Sequence, residues 1–122
     1  MAYVITMETD LMRVTVSEAL TPEDLTGMMR DADEIEKDLD PIPDRITTVA
    51  GVIDIQVGYP EVRAFAWHRR EIVFPNVFRS ALVVKTPVQR GIARMFQTLN
   101  DNPQIVIEIF EDEAEAPTWL GR

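Results

Sequence analysis

The sequence predicts one α/β domain, built on a mixed, largely parallel sheet with flanking helices. Short apolar runs typical of strands alternate with segments of helical periodicity, in the order β-β-α-β-α-β-α-β-α. Such alternation favours a parallel sheet, because a helix is the usual connection between parallel strands. The 122 residues, 46% of them hydrophobic, supply one core, and neither a repeat nor a linker divides them. We therefore expect residues 1–122 to form a single domain.

The N-terminal third predicts a hairpin followed by a helix. Residues 3–8 and 11–17 are β-rich, and the polar residues 9–10 between them indicate an antiparallel turn. Thr21 and Pro22 mark the helix start, and two prolines within residues 40–44 end it. A buried stripe is predicted at three-to-four spacing, formed by Leu25, Met28, Met29, Ala32, Ile35 and Leu39. The acids between them are expected to face water, namely Asp31, Asp33, Glu34, Glu36 and Asp38.

The middle of the chain predicts a strand, a helix and a second strand. Residues 45–55 are mostly apolar, which indicates a buried strand with a terminal turn at residues 50–51. Pro60 opens the second helix, and residues 80–84 form the next short strand.

The last third predicts a helix, a strand and a short final helix. Thr86 and Gln89 have the spacing of a capping box at the start of the third helix. Residues 104–110 form the last strand, and Asp112 caps the final helix. One face of the third helix is predicted to be apolar, formed by Val88, Ile92, Met95, Phe96 and Leu99.

Charge is strongly segregated along the chain, whose formal net charge is −9. Residues 1–62 carry −10, residues 63–94 carry +6, and residues 95–122 carry −5. The acidic total disfavours general binding of nucleic acid, because phosphate contacts need a cationic surface. The basic middle segment is instead the best indication of where the protein contacts a partner.

The residues that most catalytic and metal sites need are scarce. The chain has no cysteine and a single histidine, His68, and no glycine-rich phosphate loop. We therefore predict no catalytic residues, no metal and no cofactor, and hence a protein that is not an enzyme. The N-terminal residues lack the pattern of a signal peptide, and no segment is apolar enough to span a membrane. A cytoplasmic location is expected.

Two surfaces are predicted for contact with a partner. The first would bind an anion or an acidic protein around the start of the third helix, through Arg79, Lys85, Thr86, Arg90 and Arg94. The alternative is that these cations pair within the chain, with the acidic first helix or the final strand. The second is an apolar contact within residues 72–78, formed by Phe74, Val77 and Phe78, for which core packing is the alternative. A homodimer could join a basic segment to the acidic segment of its mate.

Three segments resemble a known family. Residues 45–54 (RITTVAGVID), 86–96 (TPVQRGIARMF) and 112–120 (DEAEAPTWL), in this order of elements, resemble the SpoIIAA-like group of STAS/SEC14 domain proteins. The resemblance covers nearly the whole chain. It implies a non-enzymatic binding or regulatory module that acts through protein contacts.

The resemblance also bears on a phosphorylation site and on a ligand cavity. In anti-sigma-factor antagonists an aspartate after the third strand precedes a phosphorylated serine or threonine, but no hydroxyl follows Asp54 here. The nearest threonines are Thr47 and Thr48. SEC14-like relatives imply, as the alternative function, a small apolar ligand between the sheet and the second and third helices. The residues that would fill or line this space are Val62, Phe65, Ile92 and Phe96.

Overall fold

The structure is a computed structural model that describes residues 3–122. Within that range it has the predicted elements in the predicted order. They are β1 (Tyr3–Glu8), β2 (Leu11–Leu20), α1 (Pro22–Glu36), β3 (Asp44–Ile55), α2 (Tyr59–Arg70), β4 (Phe78–Val83), α3 (Pro87–Leu99), β5 (Ile105–Phe110) and α4 (Glu115–Trp119).

The sheet has five strands in the order β1-β2-β3-β4-β5. β1 and β2 are antiparallel and the remaining pairs are parallel, which confirms the predicted mixed, largely parallel sheet. Because the strand order advances in one direction, right-handed crossovers place α1, α2 and α3 on the same side. The packing agrees, since side chains from all three helices join β2 and β3 in one apolar cluster. We call this side the helix face.

The short helix α4 packs on the opposite side, which we call the back face. Ile46 and Ala81 from the two central strands form an apolar cluster there with Leu120. Arg79 Nη1 and Nη2 donate hydrogen bonds to the carbonyls of Trp119 and Leu120, at 2.8 and 2.9 Å. The guanidinium of Arg79 also lies over the Trp119 ring, so Arg79 fixes the end of α4 against β4.

The predicted helix starts at Thr21 and Thr86 are present. Each threonine hydroxyl accepts a hydrogen bond from the backbone N–H three residues later, and the side chains of Asp24 and Gln89 accept in return from the cap backbone. Both capping boxes precede a proline in the first helical turn, as the sequence indicated.

The structure corrects two predicted boundaries. β3 continues through residues 50–51, where a turn was expected, because β2 also extends to Leu20 and Gly51 pairs with Ser17. A register shift between the two strands accommodates the irregularity. In addition, α1 ends at Glu36, before the predicted apolar position Leu39.

Two helical glycines differ in what surrounds them. A Cβ atom at Gly27 in α1 would lie 2.6 Å from the hydroxyl oxygen of Tyr3, whose ring is buried and whose hydroxyl donates to Asp31 at 2.6 Å. A Cβ atom at Gly91 in α3 would meet no atom within 4 Å among the described residues. Gly27 therefore allows β1 to approach α1, and Gly91 has no such role.

We predict opposite effects of alanine at these two positions. Gly91→Ala should raise the free energy of unfolding by about 0.5–1 kcal/mol, because glycine weakens a helix interior by that amount. Gly27→Ala should instead lower it by about 1–3 kcal/mol, because Tyr3 must move in a packed core. Urea unfolding of both variants and the wild type tests this. A stabilised Gly27→Ala protein would contradict the described packing of Tyr3.

Candidate functional site

The five residues predicted to bind an anion do not come together. Arg79 lies on the back face and binds α4, whereas α3 packs on the helix face. Arg90 pairs with Glu111, just after β5, at 3.0 Å. Lys85, Thr86 and Arg94 are exposed on α3 or just before it. Arg79 is therefore not part of an anion site near α3. Anion binding by the other four residues stays a prediction.

The predicted apolar contact is largely part of the core. Phe74 and Phe78 are buried and stack edge to face, with ring centroids 5.0 Å apart. They pack with Ile42 from the segment before β3 and with Ile105 from β5. Val77 is exposed, so it alone of the three predicted residues is available to a partner.

One carboxylate on α1 contradicts the sequence expectation that it faces water. Glu36 is buried between Arg45 from β3 and Arg69 from α2. Arg69 Nη1 and Nη2 donate to the two carboxylate oxygens at 2.5 and 2.9 Å, and Arg45 Nη2 donates to Oε2. A buried carboxylate without such partners would cost several kcal/mol. We call these three residues the buried charge cluster.

The protonation of the buried charge cluster follows from this geometry. Burial alone would raise the pKa of Glu36, but the hydrogen bond from Arg69 and the charges of Arg45 and Arg69 outweigh it and hold that pKa below its ordinary value. Burial lowers the pKa of Arg45 to about 10, against the opposing effect of Glu36. The side chains of Glu36 and Arg45 are therefore charged near neutral pH.

The acidic first helix also pairs with the basic segment at the protein surface. Asp33 on α1 accepts a hydrogen bond from Arg69 Nη1 at 3.4 Å and lies 2.5 Å from His68 Nε2. Asp33 and Glu36 on α1 both form ion pairs with Arg69 on α2, and these pairs join the two helices. Arg69 thus neutralises part of the acidic charge of α1 within the chain.

A cavity of about 140 Å³ lies between the sheet and the three helices. Val62, Phe65, Ile92 and Phe96 are all among its lining residues, so these four line the space rather than only fill it. Most of the remaining wall is aliphatic, contributed by β2, β3 and β4 from below and by α1 and α3 from above. The wall of the cavity is therefore mostly apolar, as in most ligand pockets.

Residues at the centre of the sheet reach this cavity. Thr47 and Val49 on β3 and Leu82 on β4 lie under the helices, yet each retains intermediate solvent accessibility. Side chains in such a position are normally fully buried in a close-packed core. The helices therefore do not fill the space above the middle of the sheet.

The cavity also has a polar end. Arg45 and Arg69 of the buried charge cluster line it, together with the hydroxyl residues Thr47 and Ser80. Arg45 and Ser80 are register partners on neighbouring strands, so their side chains stand side by side on the helix face. Gln89 also lines the cavity but is engaged, because its Nε2 donates to the carbonyl of Val52.

The outer surface of α2 carries aromatic and cationic side chains that sequence reasoning missed. Tyr59 and Trp67 are 49% and 41% exposed, and Arg63 lies over both rings, at 5.6 and 4.9 Å from their centroids. The guanidinium of Arg70 also lies over the Trp67 ring, with Cζ 5.1 Å from the ring centroid. The four-residue spacing of Tyr59, Arg63 and Trp67 was the available signal. We call these four residues the α2 ladder.

The positions related to phosphorylation are also defined. Thr47 lines the cavity, whereas Thr48, the next residue of β3, points to the back face. Asp54 at the end of β3 is exposed and accepts a hydrogen bond from Gln56 Nε2 at 2.7 Å. Phosphorylation of either threonine stays untested.

Among residues 3–122, no three histidine or acidic side chains are grouped so that they could hold a metal ion. None of the helices in that range has the length and apolar character needed to cross a bilayer.

We predict that Glu36→Gln lowers the free energy of unfolding by about 3–5 kcal/mol, because two buried guanidinium groups lose their counter-charge. Glu34→Gln is the matched control on the same helix. Its carboxylate is exposed and pairs with Lys37, so we expect a change of no more than about 0.5 kcal/mol. Urea unfolding at neutral pH measures both. Equal stability of the two variants would contradict the role of the buried charge cluster.

The same variant should alter the pH dependence of stability. Since folding lowers the pKa of Glu36, its carboxylate stabilises the protein fully above the ordinary value of about 4.3 and loses this effect as pH falls through the folded pKa. The difference in unfolding free energy between wild type and Glu36→Gln should therefore narrow as the pH drops below about 4. A difference that stays constant would contradict the lowered pKa.

Comparisons with known proteins give matches in structure only. No protein-family model and no curated protein sequence matches this chain. A DUF3478 protein with a SpoIIAA-like fold from Shewanella loihica PV-4 is 17% identical, with a TM-score of 0.62 over 98% of this chain and 92% of that one. An anti-sigma factor antagonist from Mycobacterium paratuberculosis is 12% identical, with a TM-score of 0.63 over 98% and 93%. The chain therefore has the SpoIIAA-like fold of the STAS class, as the sequence resemblance implied.

Proposed function

We propose that this domain is a non-enzymatic binding module that holds a small apolar molecule in the cavity between the sheet and α1, α2 and α3. The observation that carries the proposal is the accessible surface of Thr47, Val49 and Leu82 beneath the helices. A space in that position has room for a ligand and is lined by the aliphatic and aromatic groups that an apolar molecule contacts.

The size of the cavity supports binding on energetic grounds. An empty space of about 140 Å³ costs about 3 kcal/mol, at the roughly 24 cal/mol per Å³ found for cavities left by core truncation. An engineered apolar cavity of about 150 Å³ stays dry and takes up benzene. An apolar ligand of about six carbons would recover packing that the protein forgoes when the cavity is empty.

The two solved structures share the fold of this domain but do not identify a ligand. Of the two solved structures compared above, one is described as an anti-sigma factor antagonist and the other as uncharacterized, and neither description is of an enzyme. The proposed module is likewise not an enzyme, and we place it in the cytoplasm.

We predict that 1-hexanol binds the wild-type protein and that Ala93→Met abolishes binding. Ala93 lies on α3 and lines the cavity, so a methionine side chain there would fill the space. Gly91→Met is the matched control, because it adds a side chain of the same type to the exposed side of the same helix. Amide shifts in a ¹H–¹⁵N NMR titration measure binding. Saturable shifts near β3 and α3 are expected for the wild type and the control only.

The absence of saturable shifts in the wild-type protein would overturn this function. Equal binding by Ala93→Met and the wild type would place the ligand elsewhere. Because the methionine could also disturb α3, the amide spectra of the unliganded variants must first show the same fold.

A protein contact is the second candidate function, supported by the α2 ladder. Tyrosine, tryptophan and arginine are the residues most enriched among those that dominate binding energy at protein interfaces. In the α2 ladder they are exposed and held in place by mutual stacking, so little side-chain entropy would be lost on association. One protein of this fold is named as an antagonist of an anti-sigma factor, which describes action on another protein.

The occupant we propose for the α2 ladder is a second copy of this chain. The ladder carries Arg63 and Arg70, whereas the chain as a whole has a net charge of −9, so an acidic surface of the mate would complement it. The exposed carboxylates of α1 provide such a surface.

We predict that the wild-type protein self-associates and that Trp67→Ala shifts it to the monomer. Ile53→Ala is the control, because Ile53 is also a large exposed apolar residue but lies outside the α2 ladder. Light scattering over a range of protein concentrations measures the mass. High salt should weaken the wild-type dimer, since screening reduces the attraction between exposed charges. A wild-type protein that stays monomeric at every concentration would remove this candidate.

A further inference from the structure

Arg45, which lines the polar end of the cavity, has a buried hydrogen-bond donor without an acceptor. The Arg45 side chain is only 9% exposed, and its Nη2 donates to Glu36. Its Nε has no hydrogen-bond partner among the described residues. Buried donors in folded proteins are nearly always paired, so this atom calls for an acceptor that comes from outside the chain.

The charge around Arg45 favours an acceptor that is negative. Within the buried charge cluster, Arg45 and Arg69 share the single carboxylate of Glu36, which leaves one positive charge in excess. The partly exposed carboxylate of Asp33 lies 3.4 Å from Arg69 Nη1 and also pairs with His68. Asp33 forms no ion pair with Arg45. Asp44, which precedes Arg45 on β3, acts on Arg45 through its charge but pairs with Arg79 at 3.6 Å.

The residues near Arg45 fit a small planar head group, which would approach the edge of the guanidinium because the Phe78 ring covers one face, with its centroid 4.5 Å from Cζ. Ser80 is the register partner of Arg45 and adds a hydroxyl beside it on the helix face. Thr47 follows two residues along β3 on the same face. Beyond these groups the wall is apolar, formed among others by Val49 and Leu82. A molecule with one polar end and one apolar end matches this order.

We propose that the ligand is a small carboxylic acid with an apolar tail, whose carboxylate accepts hydrogen bonds from Arg45 Nε and the Ser80 hydroxyl. This inference rests on the proposed function, because the tail occupies the same cavity. One negative charge neutralises the single excess positive charge, whereas a doubly charged phosphate would leave a buried excess of negative charge. A tail of about six carbons fits the volume, since a cavity of similar size holds one benzene.

The test compares three probes with the same tail on the wild-type protein: hexanoate, 1-hexanol and hexylammonium. Hexanoate should bind roughly tenfold more tightly than 1-hexanol, as expected for a hydrogen bond to a charged group, and hexylammonium should bind least. Affinities come from NMR titration at neutral pH. The Nε–H signal of Arg45 should shift with hexanoate and saturate at the same concentration as the backbone amides.

A variant of Arg45 tests whether this residue causes the preference for hexanoate over 1-hexanol. Arg45→Gln leaves Glu36 paired with Arg69 through two hydrogen bonds, so a neutral pair remains in place of the cluster. This variant should bind hexanoate and 1-hexanol about equally, losing the roughly tenfold preference. Arg30→Gln, which removes an exposed cation from α1, should keep the preference.

The outcomes separate the two proposals. If 1-hexanol binds as tightly as hexanoate, the carboxylic acid inference fails while the apolar ligand function stands. If none of the three probes binds, both fail. If hexanoate is preferred but the Arg45 signal does not move, the head group binds elsewhere and the assignment to Arg45 is wrong. Should Arg45→Gln not fold, the wild-type comparison and the Arg45 signal decide the question without it.

Discussion

The arrangement of α1 and α2 over the sheet depends on the buried carboxylate of Glu36. It comes from the last turn of α1, and its two partners, Arg45 and Arg69, come from β3 and α2. Three separate elements therefore meet at one ionic contact. Such a contact contributes little beyond a well-packed apolar substitute, but it is strongly unfavourable when one partner is missing. Its effect is to fix the relative positions of the three elements. It also places Arg45 and Arg69 in the wall of the cavity, where they form the polar end.

Local signals were sufficient to predict most of the fold. The capping boxes at Thr21 and Thr86, the prolines after them and the apolar runs between them act within a few residues, so the sequence displays them directly. The position of Glu36 was predicted wrongly because it was classified by its charge. It stands four residues after Ala32 and eight after Met28, on the buried face of the helix. A cationic residue at the start of the apolar strand β3, namely Arg45, was the complementary signal.

The candidate site was harder to predict because it depends on strand register and on contacts between distant segments. Arg79 was grouped with Arg90 and Arg94 by its neighbourhood in sequence. In a strand, however, successive side chains point to opposite faces, so Arg79 faces α4 while Phe78 and Ser80 face the helices. The pairing of Arg69 and His68 with α1 spans more than thirty residues, and no local pattern encodes it. Whether Val62 and Phe96 line a cavity or close it depends on how near the helices come to the sheet.

The cavity and the buried charge cluster are physically connected. Helices that meet through apolar side chains can approach until the space between them is filled, because dispersion attraction grows with every contact. α1 and α2 meet partly through Glu36, Asp33 and Arg69, whose hydrogen bonds set the distance between the helices by their own geometry. Closer packing would have to break these bonds and leave buried charges unpaired, at a cost comparable with that of the empty space. The ionic contact therefore fixes the distance between α1 and α2 beside the cavity, and the ligand that we propose would occupy this space at that distance.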